Sequence, residues 1–176
     1  MSEFIDSIFS SLLKQNLISK GTHKMDYKVP MEVAEVQLFY NNRIKAKDRP
    51  KIRSSRDAYW ILESNWSNQM ALLEEFNILL LDRSNRVMAM SNISKGGVSG
   101  TVVDLKIVFA IALKGRASSI ILAHNHPSAN LLPSQADISL TKKFKEAGEV
   151  LDITVLDHLI LSAEGAYYSF ADEARL

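Results

Sequence analysis

Apolar positions along this chain recur with two periods, and the switches between them divide it into elements. Near the start, Ile5, Ile8, Phe9, Leu12 and Leu13 fall at helical spacing, which predicts a short amphipathic helix from Glu3 to about Leu17. Gly21-Thr-His-Lys24 reads as a linker, and Glu32 to Tyr40 as an edge strand or extended arm. Ser54 or Ser55 caps a helix through Glu63, with Ala58, Ile61 and Leu62 as its buried stripe. Phe76 to Asp82 and Arg86 to Ser91 are strand-like runs joined by a turn at Arg83-Ser-Asn85, so they form an antiparallel hairpin. The next helix ends at Lys114, where Gly115 stops it, with Val108, Ile111 and Ala112 inward. Thr101-Val-Val-Asp104 has the form of a capping box at its start. Ser118 to Ala123 is a short β-branched, apolar run and predicts a buried strand. Gln135 to about Val150 is helical, with Ile138, Leu140, Phe144 and Ala147 on or beside its apolar face. Ile153 to Leu161 is a strand again, and Ala166 to Phe170 pairs with it across Ala163-Glu-Gly165.

Composition narrows the classes. At 176 residues there is room for one ordinary domain with a full core, plus a tail. Apolar content of 47% and charged content of 23% fit a soluble globular protein. A net charge of +1 gives the chain as a whole no electrostatic reason to seek nucleic acid or membrane. Absence of cysteine excludes disulfides and thiolate ligands and is compatible with the cytoplasm, the expected location. No apolar run reaches the roughly 18 residues of a membrane span. Glu3 and Asp6 stand where a signal peptide would be basic, so none is expected.

Two local patterns qualify this picture. Basic residues at 43, 45, 47, 49, 51 and 53 would line one face if Arg43 to Arg53 were extended, as for a phosphate backbone or an acidic protein patch. No aromatic is interleaved for base stacking, so a solvated linker is the simpler reading, and Pro50 argues against a helix. Lys95-Gly-Gly-Val-Ser-Gly100 lacks the ending of a phosphate-binding loop, which leaves the rim of a groove or a plain turn.

The chemistry concentrates in Leu122 to Asp137. His124 and His126 stand two apart at the end of a predicted strand, so both imidazoles project from one face. Pro127 ends the strand. Ser134 reads as the N-cap of the following helix, with Asp137 three residues on in its first turn. Two neutral imidazoles and a carboxylate are a common ligand set for catalytic zinc, with the fourth position left to water. Without a metal, Ser134 and Asp137 would be a capping pair. His158, inside an apolar strand, reads as a hydrogen-bonded core residue or as support for the metal site.

The spacing as a whole resembles the JAB/MPN metalloenzymes and their JAMM motif. His124-Asn-His-Pro-Ser128 followed by Pro133-Ser-Gln-Ala-Asp137 is similar to the RadC-like JAB domain family. So are Arg49-Pro-Lys-Ile52, Ser99-Gly-Thr-Val-Val-Asp104, Ala117 to His124, and Leu156-Asp-His-Leu-Ile160. The resemblance covers roughly Pro50 to Ala171, which suggests an N-terminal helix, strand and basic arm over 1–50 and a JAB/MPN domain over 51–176. It implies an α/β fold with a mixed sheet flanked by helices. It also implies a zinc-dependent metallopeptidase or isopeptidase. His124, His126 and Asp137 would hold Zn²⁺, Glu74 rather than Glu75 would be the general base, and Ser134 would stabilise the oxyanion. Glu75 would then be a solvent-facing charge. The implied partner is a polypeptide substrate, with a ubiquitin-like conjugate as one class.

Two departures stand out. Ala129 replaces the usual glycine of His-Pro-Ser-Gly, and would cost roughly 1 kcal/mol if that position needs positive φ. Leu105 stands where proline is common. Longer relatives of this kind carry a helix-hairpin-helix segment associated with DNA, which is not found here. Two rival classes remain: a nucleic-acid accessory protein, and a metal-binding interaction module without hydrolysis. The Glu-Ser pair argues against the second.

Overall fold

The computed structural model describes residues 44–176. The chain divides by compactness between Gln37 and Leu38, and every described residue lies in the second unit. The helix expected at Glu3 to Leu17, the linker at Gly21 to Lys24, the arm at Glu32 to Tyr40, and Arg43 lie outside the described residues.

Among the described residues, five strands form one mixed sheet in the order β2-β1-β3-β4-β5. They are β1 (Glu75–Leu81), β2 (Val87–Lys95), β3 (Ser119–Asn125), β4 (Thr154–Leu161) and β5 (Tyr167–Ser169). β3 and β4 run parallel, and the other neighbours antiparallel. Helix α1 (Ser55–Ser64) packs on one face, and α2 (Leu105–Lys114) and α3 (Gln135–Leu151) on the other. This is the α/β class expected.

Alternation along the strands builds two half-cores. Leu79, Leu81, Ile121, Ala123, Leu159 and Leu161 pack with Ala58, Tyr59 and Leu62 of α1. Phe76, Ile78, Leu80, Ile120 and Leu122 pack with Val108, Phe109 and Ala112 of α2 and Phe144 of α3. Every residue of β1 and β3 is buried, as a central strand covered on both sides requires.

Several local expectations change. On α1, Tyr59 rather than Ile61 completes the buried stripe, because its ring stacks on Tyr167 at 4.7 Å. On α2, Phe109 is buried beside Val108 and Ala112, and Ile111 packs half-buried against the same core. The N-cap of α2 is Asp104, which accepts from the Lys106 amide at 2.9 Å. The Thr101 hydroxyl donates instead to Ser94 Oγ, so Thr101 to Asp104 is not a capping box. β2 continues beyond Ser91 to Lys95.

The basic arm does not form a straight charged face. A 3-10 turn at Ala46–Asp48 breaks it. Arg49 pairs with Asp82 at 3.4 Å. The Val87 amide donates to the Pro50 carbonyl and the Ile52 amide to the Asn85 carbonyl, each at 2.8 Å. The end of the arm is thus fastened along the β1–β2 turn.

Candidate metal centre

His124 lies within β3 and His126 just past its end. Phe76 is paired across to His124, so β1 and β3 share a parity, and Glu74 falls on the same face as His126. That face is the one covered by α2 and α3. Ser134 and Asp137 arrive from the first turn of α3.

The histidine and carboxylate donors converge. His124 Nε2 is 3.0 Å from His126 Nε2 and 3.3 Å from Asp137 Oδ1, and His126 Nε2 is 3.8 Å from Asp137 Oδ2. Atoms about 2.0–2.1 Å from a common zinc at tetrahedral angles lie about 3.3 Å apart. The separations therefore suit one ion, and all three ligand atoms lie within 4.8 Å of one another. His126 Nδ1 is 2.5 Å from the Asn130 carbonyl. A carbonyl only accepts, so Nδ1 carries the proton and Nε2 of the neutral ring is bare. Burial lowers the pKa of His124 to about 4, with His126 adding to the effect and Asp137 opposing it, so its imidazole is uncharged near neutrality. The donor set fits a divalent cation.

Around these donors opens a cleft of about 640 Å³ lined by Glu74, Ser134, Phe76 and the Val98–Val103 segment, among others. The glycine-rich loop is therefore a rim of this cleft. It closes tightly on itself: a Cβ on Gly96 would stand 2.1 Å from the Gly100 carbonyl oxygen. The backbone of Glu74 extends β1 into that loop, donating to the Gly97 carbonyl at 2.9 Å and accepting from the Gly96 amide at 2.8 Å. Burial raises the pKa of Glu74, and Asp137 adds to this. His126 and the Thr101 amide pull it back.

Ser134 makes a complete capping box with Asp137. Its Oγ accepts from the Asp137 amide at 3.2 Å, and its hydroxyl and its amide both donate to Asp137 Oδ2, at 2.6 and 2.7 Å. Oδ2 is thus occupied, and Oδ1 faces His124. The hydroxyl proton rests on Asp137 rather than pointing into the cleft.

Glu75 is not the solvent-facing charge expected. It is 1% exposed, and its carboxylate meets Ser67 Oγ at 2.5 Å and Lys95 Nζ at 3.2 Å. Strand parity turned it away from the cleft, and the 66–74 segment covers it.

Asn125 escaped sequence reasoning. It sits between the two histidines and points to the opposite face. Its Nδ2 donates to the Met70 and Leu73 carbonyls at 2.6 and 2.8 Å, and its Oδ1 accepts from the Glu75 amide at 2.8 Å. It therefore fixes the segment that carries Glu74 to the strand that carries the histidines. The available signal was the alternation itself: an amide between two same-face residues in a buried strand must find partners behind them.

Comparison with known proteins identifies the family of this domain. The model of the RadC-like JAB domain matches residues 52–175, most of the chain. The chain belongs to the RadC-like JAB domain family. Among its relatives, a UPF0758 protein of Flavobacterium johnsoniae is 50% identical over 172 residues, 96% of this chain and 72% of the relative. A UPF0758 protein of Porphyromonas gingivalis is 40% identical over 77% of this chain and 60% of its own length. Another, of Pelobacter propionicus, is 43% identical over 58% of this chain and 44% of its own length. The last two matches leave a large part of each relative uncovered. Within this RadC-like domain, no helix of the described residues is long and apolar enough to cross a membrane.

Proposed function

We propose that this RadC-like domain is a zinc-dependent hydrolase of peptide or isopeptide bonds in a polypeptide substrate. The observation that carries the reading is the convergence of His124, His126 and Asp137 on one point, with Glu74 lining the same cleft. His124 and His126 would hold the ion through Nε2 and Asp137 through Oδ1. When bound, zinc supplies a Lewis acid that polarises the scissile carbonyl and acidifies water.

The protein supplies the rest. Glu74 takes a proton from water as its oxygen adds to the carbonyl carbon, and returns that proton to the leaving nitrogen as the C–N bond breaks. Its raised pKa suits both halves of this task. Ser134 keeps its lone pair on the α3 amide and turns its proton from Asp137 Oδ2 to the developing oxyanion. Asn125 holds the Glu74 segment in register with the histidines. A ubiquitin-like conjugate is one substrate class this chemistry would serve.

Metal analysis tests the reading first. Purified protein should carry about one zinc per chain, and His126→Ala far less. Equal metal content in the two would refute the site. Peptide and lysine-isopeptide mixtures, read by mass spectrometry with and without chelator, then test hydrolysis.

A further inference from the structure

His158 is fully buried, and the chemistry above makes no use of it. Its ring stacks on Phe170 at 5.0 Å and meets Phe76 edge-on at 5.6 Å. Its Nε2 lies 2.8 Å from His124 Nδ1, and its Nδ1 lies 2.7 Å from Thr141 Oγ1. Thr141 Oγ1 in turn lies 2.6 Å from the Asp137 carbonyl, one helical turn back.

The protons of this chain can be placed one at a time. The Asp137 carbonyl can only accept, so the single hydroxyl proton of Thr141 points at it. Thr141 Oγ1 must then accept from His158, which puts a proton on His158 Nδ1. The nearby Asp157 carboxylate is engaged by Ser169 Oγ and by the amides of His158 and Ala171, not by the ring. With phenyl rings against it and no anion in contact, His158 is neutral and its Nε2 is bare. That bare nitrogen accepts from His124 Nδ1–H. His124 Nε2 is left bare, facing His126 and Asp137.

A β-bulge places His158 there. Ile120 pairs with Val155, but Ile121 pairs with Asp157, so Leu156 is an extra residue. Val155 belongs to the half-core under α2 and α3, and Leu156 packs on the α1 side. The shift returns His158 to the α3 side despite its odd distance from Val155.

We propose that His158 is a positioning residue that, braced by Thr141, locks His124 in the tautomer whose Nε2 is free to bind a metal. The lock runs from the ring of one donor to the backbone of another, so it also couples β3 to α3. The inference rests on the metal-hydrolase reading for its zinc arm only; its tautomer arm stands apart.

The test uses the full chain. Imidazole ¹⁵N NMR of metal-free protein reads the tautomers, and zinc titration against a chromophoric chelator reads affinity. In the parent, His124 should be protonated at Nδ1. Thr141→Val preserves shape but orphans His158 Nδ1–H. The proton should then favour His158 Nε2, which donates to His124 and drives the His124 proton to Nε2. Zinc affinity should fall by about 10–100-fold, although Thr141 touches no donor side chain. Thr141→Ser should restore both readouts. His158→Leu should lose affinity similarly, and the Thr141 pair decides if that variant does not fold. A parent protonated at His124 Nε2, or a Thr141→Val protein with unchanged tautomer and affinity, overturns the inference. A parent with the expected tautomer that binds no zinc supports the lock and sinks the hydrolase reading.

Discussion

Replacing Ala129 with glycine should stabilise this protein. Ala129 has φ of 59°, the left-handed region, and its amide closes a turn onto the His126 carbonyl at 3.0 Å. A residue with a Cβ pays about 1–2 kcal/mol in that conformation. Glycine removes this strain but gives the unfolded chain more freedom, a loss of about 0.4–1 kcal/mol. The difference leaves Ala129→Gly more stable by roughly 0.5–1 kcal/mol. For a domain of this size that is a rise in Tm of about 2–5 °C, measurable by calorimetry or circular dichroism on metal-free protein. Two controls isolate the cause. Asn85→Gly, also at positive φ (58°), should change stability by less than about 0.5 kcal/mol, because asparagine tolerates the region. Ala129→Val should destabilise, since a β-branched residue is poorly accommodated there. A lower Tm for Ala129→Gly, with the turn intact, would show that the loop draws more from the Ala129 methyl than it loses to strain.

Four other outcomes are expected. Glu74→Gln should retain zinc and fold while any hydrolysis falls by about 10²–10⁴-fold; loss of zinc with it would make Glu74 a ligand. Glu75→Gln should lower stability by about 1–3 kcal/mol, through the buried contacts to Ser67 and Lys95, yet leave hydrolysis in place; the reverse pattern would mean that the two glutamates exchange roles. Asn125→Ala should cost about 2–4 kcal/mol by orphaning the Met70 and Leu73 carbonyls, and limited proteolysis should cut the 66–74 segment faster; an unchanged cleavage rate would dismiss the clamp. DNA should not be retained at physiological salt, because net charge is +1 and Arg49 is paired with Asp82; tight, salt-sensitive binding in a gel shift would reverse that expectation.

Much of the site was legible in one dimension because its rules are local. Strand alternation alone put His124 and His126 on one face, and capping chemistry alone put Asp137 in the first turn after Ser134. The Ala129 departure foretold a backbone position that the fold does hold at positive φ. Parity also stated that Glu74 and Glu75 face opposite ways. It could not say which face carries the cleft, nor that the other face is closed over Glu75. That depended on the pairing of Phe76 with His124 and on where α2 and α3 pack. Asn125 needed the 66–74 segment brought back from about 50 residues away in sequence. His158 required still more. Alternation counted from Val155 sends it to the α1 side, and only the bulge at Leu156, set by the register of β4 against β3, turns it toward His124. Sequence fixes what depends on chain geometry within a few residues. Register, bulges and the choice of covered face depend on contacts between distant segments, so only the tertiary structure decided them.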